Sequence, residues 1–274
     1  MLPSRRRLLA AGLLAPLLAG RPAGLRAQAE DRLLLSGSST VAPLVLEIAK
    51  RFESLNPGVR IEVQTGGSSR GLSDARQGRV AFGMVSRALK PEEAALLAYP
   101  LARDGIGLIV HRSNPVAALS AAQVQAIYTG QVRDWAAVGG PVRPISVVHK
   151  AEGRSTQELF LQHFGLVNSA VKPQVVIGDN AQGLKTVAGN PGAIGYVSIG
   201  SAEFEAGLGT PIRLLPMDGV PATVAEVQRG RFPISRPLNL VSAQAPTGLA
   251  ARFLAYARSP AVHDLVREQF FVPL

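Results

Sequence analysis

The chain has 274 residues, enough for one large domain or two medium ones. Apolar residues make up 47%, and the 20 Pro and 28 Gly are spread along the chain, which indicates many turns and excludes a disordered tract. The formal charge is +10, but aromatics are only 5% and the arginines are dispersed, which argues against a nucleic-acid partner.

Residues 1–29 read as a secretory signal peptide. Arg5-Arg6-Arg7 precedes an apolar stretch from Leu8 to Leu18, and Ala27-Gln28-Ala29 has the small-residue pattern of a cleavage site. The adjacent arginines resemble a twin-arginine signal, which implies export of a folded chain. The apolar stretch is shorter than the roughly 20 residues that span a bilayer. Cleavage near Ala29 removes five arginines and leaves 24 basic against 19 acidic side chains. Cysteine is absent, so neither a disulfide nor a lipid-bearing N-terminal cysteine is expected. The expectation is a free periplasmic protein.

The mature chain alternates strand and helix patterns. Leu33–Leu35 reads as a buried strand, and Leu44, Val45, Ile48, Ala49 and Phe52 mark one face of a helix that stops at Asn56-Pro57-Gly58. Val59, Ile61 and Val63 alternate with polar residues as a strand, Leu72–Gln77 is helical, and Val80–Ser86 is a strand. Pro91-Glu92-Glu93 opens a helix, and Gly105–His111 is an apolar strand ending at Ser113-Asn114-Pro115. Ser120 and Gln123 form a capping-box pattern before a helix to Tyr128, and 129–142 reads as a loop. Strand 143–149, helix 155–164, strand 174–177, helix 182–188 and strand 192–198 follow. The tail adds strands near 212–215 and 238–242 and helices near 222–229, 246–257 and 260–269. This βαβα order predicts an α/β fold with mainly parallel sheets.

Polar turns recur where strands hand over to helices: Ser36-Gly37-Ser38-Ser39-Thr40, Gly66-Gly67-Ser68-Ser69-Arg70, Glu152-Gly153-Arg154-Ser155-Thr156 and Asp179-Asn180-Ala181-Gln182-Gly183. Each can be a helix cap, and Ser155 with Glu158 fits a capping box. Each can also seat an anion, because helix N-termini offer unpaired N–H groups and partial positive charge. In open α/β sheets such turns gather at the carboxyl ends of strands. The chain has no GxxxxGK[ST], GxSxG or HExxH pattern. His111, His149, His163 and His263 show no metal spacing, so no metal, cofactor or catalytic residue is assigned. Trp135 and the Phe270-Phe271 pair read as packing residues.

From Ser36 to Leu274 the chain resembles the substrate-binding protein of the phosphate-specific ABC importer, in its shorter form. The matching stretches are GSSTVAPL, NPGVRIEVQTGGSS, GMVSRALKPEE, YPLARDGIGLIV, SNPV, IYTGQVRDW, GNPGAIGYVS, DGV, FPISRPL and FVPL. The resemblance implies a monomeric two-lobed periplasmic binding protein, type II-like, with the ligand clamped between lobes. It implies a first lobe of 31–110 plus 200–274 and a second lobe of 111–199. It further implies ligand contacts from Ser39, Thr40, Ser68, Ser69, Ser86, Arg87, Lys150, Arg154, Ser155 and Thr156. Lys150 stands where the family often has arginine, Arg154-Ser155 where many members have Ser-Gly, and Arg87 where some have aspartate. Asp104 is a candidate replacement for that carboxylate. The implied function is capture of inorganic phosphate for an ABC permease. Sulfate, a phosphonate or an oxometalate on the same fold stays open. So do a secreted Ser/His hydrolase and an exported structural protein whose anion seat is filled by Arg154 bonded to Asp104 or Glu152.

Overall fold

The structure is a computed structural model describing residues 31–274; the signal-peptide reading lies outside the described residues. Ten strands and nine α-helices follow one another as β1 (Asp31–Gly37), α1 (Ala42–Leu55), β2 (Val59–Thr65), α2 (Ser68–Arg76), β3 (Phe82–Val85), β4 (Leu97–His111), α3 (Ala121–Tyr128), β5 (Ser146–Lys150), α4 (Ser155–His163), β6 (Val175–Ile177), α5 (Asn180–Ala188), β7 (Ala193–Ser198), α6 (Ile199–Gly207), β8 (Ile212–Leu215), α7 (Val224–Gln228), β9 (Ser235–Ser242), α8 (Gly248–Ala257), α9 (His263–Glu268) and β10 (Val272–Pro273).

The strand order is β2-β1-β3-β9-β4-β7-β5-β6, with β8 and β10 also paired to β4. Strands joined by crossover helices pair in parallel: β1 with β2 and β3, and β5 with β6 and β7. Every antiparallel pair involves β4 or β9. These two strands carry the chain from one lobe to the other. β4 is 15 residues long. Its first part, Leu97 to Gly105, pairs with β9, and its second part, Ile106 to Val110, pairs with β7. Ile106 N–H donates to the Ile234 carbonyl at 3.0 Å, just before β9 begins.

Two of the four hydrophobic cores among the described residues lie mainly on either side of this point. One gathers Leu35, Leu44, Ile48, Phe52, Phe82, Leu238, Leu240 and Phe253. The other gathers Ile106, Leu108, Tyr128, Trp135, Phe160, Tyr196, Leu215, Phe232 and Ile234. β8 pairs with the second half of β4, and Leu215, Met217, Phe232 and Ile234 pack in the second of these cores.

Local sequence explains most elements. The apolar face of α1 is buried as expected, with Leu44, Val45 and Ile48 fully enclosed. Asn56 Nδ2 donates to the Phe52 carbonyl and Gly58 turns the chain at φ 92°. The Ser120 capping box forms in both directions, at 3.2 and 2.8 Å. Pro91–Glu93 makes only one 3-10 turn. Trp135 is buried and donates to the Gly192 carbonyl at 2.9 Å.

The second core is centred on Phe160, which stacks on Tyr196 with ring centroids 3.8 Å apart and also packs against Tyr128. Phe160→Ala should destabilise the protein by about 3–5 kcal/mol, since the ring leaves a cavity among groups that cannot collapse. Urea unfolding monitored by circular dichroism measures it, and a cost below about 1 kcal/mol would contradict a close-packed second core.

Candidate functional site

Four of the polar turns meet at the junction of the lobes. Ser38, Ser39 and Thr40 come from the turn before α1, and Gly67 and Ser68 from the start of α2. Ser86 follows β3, Lys150 ends β5, and Arg154, Ser155 and Thr156 open α4. Together they line one small cavity. Asn180, at the start of α5, joins its rim by accepting from Lys150 Nζ at 2.8 Å and donating to Thr40 Oγ1 at 3.2 Å. Helix starts from both lobes thus face one space and add partial positive charge to it.

The capping box expected at Ser155 and Glu158 does not form. Arg154 is the N-cap residue and no side chain caps α4. Glu158 is drawn away by Arg87 and Lys90, each at 3.0 Å. Ser155 Oγ is buried without a partner, and so is Arg154 Nε. A buried polar atom left unpaired costs stability. Gly67 makes the close approach possible. Its φ is +93°, and an added Cβ would lie 2.6 Å from the Gly153 carbonyl oxygen and 2.8 Å from Arg154 Cδ.

A residue that sequence reading left without a role organises the cavity wall. Arg236 sits at the start of β9, inside the FPISRPL stretch, and its side chain is 1% exposed. Asp104, on β4, holds it through Nε at 3.1 Å and Nη2 at 2.8 Å. The guanidinium then donates to Thr156 Oγ1 at 2.8 Å, Ser86 Oγ at 3.3 Å and Thr40 Oγ1 at 3.4 Å. Only tertiary structure puts Arg236 beside residues 132 and 80 positions away. The Arg–Asp pair itself had no local signature.

The remaining predicted residues divide clearly. Ser39, Thr40, Ser68, Ser86, Lys150, Arg154, Ser155 and Thr156 line the cavity. Ser69 does not: its side chain is exposed, and its backbone N–H donates across the lobe junction to the Gly153 carbonyl at 3.2 Å. Arg87 does not either. It makes a bidentate pair with Glu93 at 2.7 and 2.8 Å and a third contact to Glu158 at 3.0 Å. Asp104 stands behind Arg236, its other oxygen accepting from Ser198 Oγ at 2.9 Å. Ser38, Gly67, Asn180 and Arg236 belong to the site's surroundings without having been singled out as ligand contacts.

Lys150 is enclosed, and its pKa is lowered to about 7. Burial is the main cause, followed by the charge of Arg236; Arg154 adds to the lowering and Asp179 opposes it. Tyr196 O–H accepts from the Lys150 backbone N–H at 3.2 Å and shares a 2.9 Å hydrogen bond with His149 Nδ1. His149 is also bonded to Asn168. No histidine lines the cavity, and among the described residues no group of three or more His, Cys, Asp or Glu could hold a metal ion. A wider, mostly apolar groove runs beside the cavity, past Leu46, Leu184, Phe204 and Phe271. Its charged lining is Asp179 and Glu205, both acidic.

The sequence matches the PBP superfamily domain over residues 25–261. The chain belongs to the PBP superfamily. It is 29% identical over 253 residues to the phosphate-binding protein PstS of Bacillus subtilis, covering 90% of this chain and 82% of that protein. Among solved structures it is similar to a phosphate ABC transporter substrate-binding protein with bound phosphate from Clostridium perfringens. That likeness has a TM-score of 0.81 and 31% identity, and covers 89% of this chain and all of the other. A phosphate transport receptor from Vibrio cholerae matches with a TM-score of 0.71 and 27% identity, again over 89% of this chain and all of the other. The fold of a two-lobed binding protein read from the sequence is the fold observed.

The Arg236–Asp104 pair generates a stability prediction. Asp104→Ala leaves a guanidinium buried without its counter-charge, and should cost about 3–5 kcal/mol. Chemical denaturation of the variant measures it; a loss under about 1 kcal/mol would mean that Arg236 does not depend on Asp104.

Proposed function

We propose that this protein captures a tetrahedral oxyanion, phosphate first among them, and presents it to the permease of an ABC importer. The observation that carries the reading is the cavity itself. Helix starts of both lobes, Lys150 and Arg154 converge on it, and two buried polar atoms there have no protein partner. The names of the relatives from Bacillus, Clostridium and Vibrio agree with it. Export to the periplasm, removal of residues 1–29 and a monomeric state belong to the same reading. Among the described residues no helix is long and apolar enough to cross a membrane.

On this reading the lobes are 31–105 plus 235–274 and 106–234, hinged where β4 and β9 run side by side. The structure has the lobes in contact. Glu158 of α4 meets Arg87 and Lys90, Asn180 meets Thr40, and Thr156 meets Arg236. An anion that binds groups of both lobes favours this closed arrangement by its differential affinity. The hydrolase alternative lacks support, because no histidine is placed to activate a cavity serine. The filled-seat alternative also lacks it: Asp104 is engaged by Arg236 and Ser198, Glu152 accepts from Asn168, and Arg154 Nε is unpaired.

Isothermal calorimetry with phosphate, sulfate and molybdate tests the reading, and binding of none of them would overturn it. Thr156→Val removes a hydroxyl whose lone pair is occupied by Arg236 and whose proton is free for the ligand. It should weaken binding by about 1–3 kcal/mol. An unchanged affinity would reduce Thr156 to a packing residue.

Lys150 predicts a pH dependence. Its lowered pKa means that the empty cavity disfavours the ammonium, whereas an anion favours it. The charged form is present below about 7, so anion affinity is highest there and falls as pH rises through that value. Sulfate is the proper probe because it carries no ionisation of its own in this range. Its affinity should fall by up to about tenfold per pH unit above the transition. A flat profile from pH 6 to 9 would remove Lys150 from the site.

A further inference from the structure

A buried chain of hydrogen bonds runs behind the cavity wall of the second lobe, among side chains that do not line the cavity. β5 carries Lys150 to the cavity, but its pairing with β7 stops at Ser146 and Val147. Three residues on, the Lys150 backbone N–H is taken by a side chain instead, Tyr196 Oη at 3.2 Å. A backbone N–H only donates, so Tyr196 accepts there and its one proton is left for His149 Nδ1, 2.9 Å away. Neutral His149 then carries its proton on Nε2, which faces Asn168 Oδ1 at 2.8 Å. Burial lowers the His149 pKa, ahead of the Asn168 hydrogen bond, which raises it.

The chain of bonds ends on the same backbone segment. Asn168 Nδ2 donates to Glu152 Oε1 at 2.6 Å, and because a carboxylate only accepts, that bond turns Oδ1 toward His149. Gln157 Nε2, from α4, donates to the same Oδ1 at 2.8 Å. The links thus donate in one direction, from the Lys150 backbone to the Glu152 carboxylate. They grip positions 149, 150, 152 and 157, on both sides of Gly153, where the chain turns at φ 77°. The residues this segment offers to the cavity, Lys150, Arg154, Ser155 and Thr156, lie within that span. His149, Gln157 and Tyr196 are buried, and the Tyr196 ring is stacked on Phe160. Buried polar groups that are paired in a network rigidify what they hold.

We propose that Tyr196, His149 and Asn168 are positioning residues for anion binding: they brace residues 149–157 from behind, so that the Lys150 side chain and the first turn of α4 meet the anion in fixed places. The inference rests on the oxyanion reading above. A group already held in place gives up less conformational freedom when the ligand arrives, and the difference appears as affinity. Gly153 makes the turn possible but is also the residue least able to hold it, because glycine has the most conformational freedom to lose. The brace supplies the restraint that the backbone lacks there.

Tyr196→Phe removes one hydroxyl and keeps the ring on Phe160. Two measurements read it: calorimetric titration with inorganic phosphate, and an NMR titration of the Lys150 amine in the anion-free protein. Phosphate should bind about three- to tenfold more weakly, the factor that one neutral hydrogen bond carries. Lys150 faces Arg236, Asp179 and Arg154, and burial brings its pKa to about 7. With the strand end released the amine is less enclosed, and its pKa should rise to about 8 or above, a change that a hydroxyl serving stability alone would not cause. Asn168→Ala, at the partly exposed outer end of the network, should move both readings in the same directions and replaces Tyr196→Phe should that variant not fold. A folded variant of either kind in which the phosphate affinity or the Lys150 titration keeps its wild-type value overturns the inference and leaves the oxyanion reading standing. Failure of the wild-type protein to bind phosphate overturns the phosphate reading and the inference with it.

Discussion

The buried pair of Arg236 and Asp104 is the interaction on which the site depends. Each side chain is 1% exposed. Taking such charges out of water costs several kcal/mol per ion, so the pair persists only because nearly every polar atom is matched. Asp104 uses one oxygen for the guanidinium and the other for Ser198 and the start of α6. Arg236 spends its remaining N–H groups on Ser86, Thr40 and Thr156. Two of those hydroxyls belong to the first lobe and one to the second. The guanidinium therefore registers the lobes against each other and turns their hydroxyls in one act.

Its position on the fold is the reason it can do so. β4 and β9 are the strands that pass between lobes, and Asp104 and Arg236 are paired neighbours on them. Next to that pair the register moves from one lobe's sheet to the other's. A hinge needs backbone that bends without losing its hydrogen bonds, and the antiparallel ladder from Leu97 to Gly105 supplies a firm edge to bend against. The cleft mouth is held differently. Glu158 reaches across to Arg87 and Lys90, and Lys90 is about half exposed. The Lys90 contact, partly solvated, is worth little and is weakened by salt, whereas Arg87 meets the same carboxylate from a buried position.

Much of this was legible in the sequence, and the part that was not has a physical cause. Short-range patterns carried the helices, the parallel strands and the polar turns, because caps, glycines and apolar periodicity act over a few residues. The same patterns misled at Ser155 and Glu158. The spacing of a capping box was present, but a buried arginine from the other lobe competed for the glutamate and won. β4 was half missed because Leu97 to Arg103 contains Pro100 and does not alternate, and its pairing is decided by a strand more than 130 residues later. Arg87 was expected at the anion for its place in a motif, yet the acids around it give it two better partners. Arg236 had no local signal at all, since a serine–arginine–proline run reads as an ordinary strand edge. The residues that position others are the ones a linear pattern hides.

The cavity's charge bears on how its lysine titrates. Three cationic side chains around one small space repel one another, and Asp104 and, toward Lys150, Asp179 offset them. The structure relieves the strain at the weakest base. Lys150 is that base: burial together with the neighbouring arginines brings its pKa to about 7. A lysine at this position thus has a proton that is released near neutral pH, and its Nζ donates to Asn180 Oδ1 at 2.8 Å.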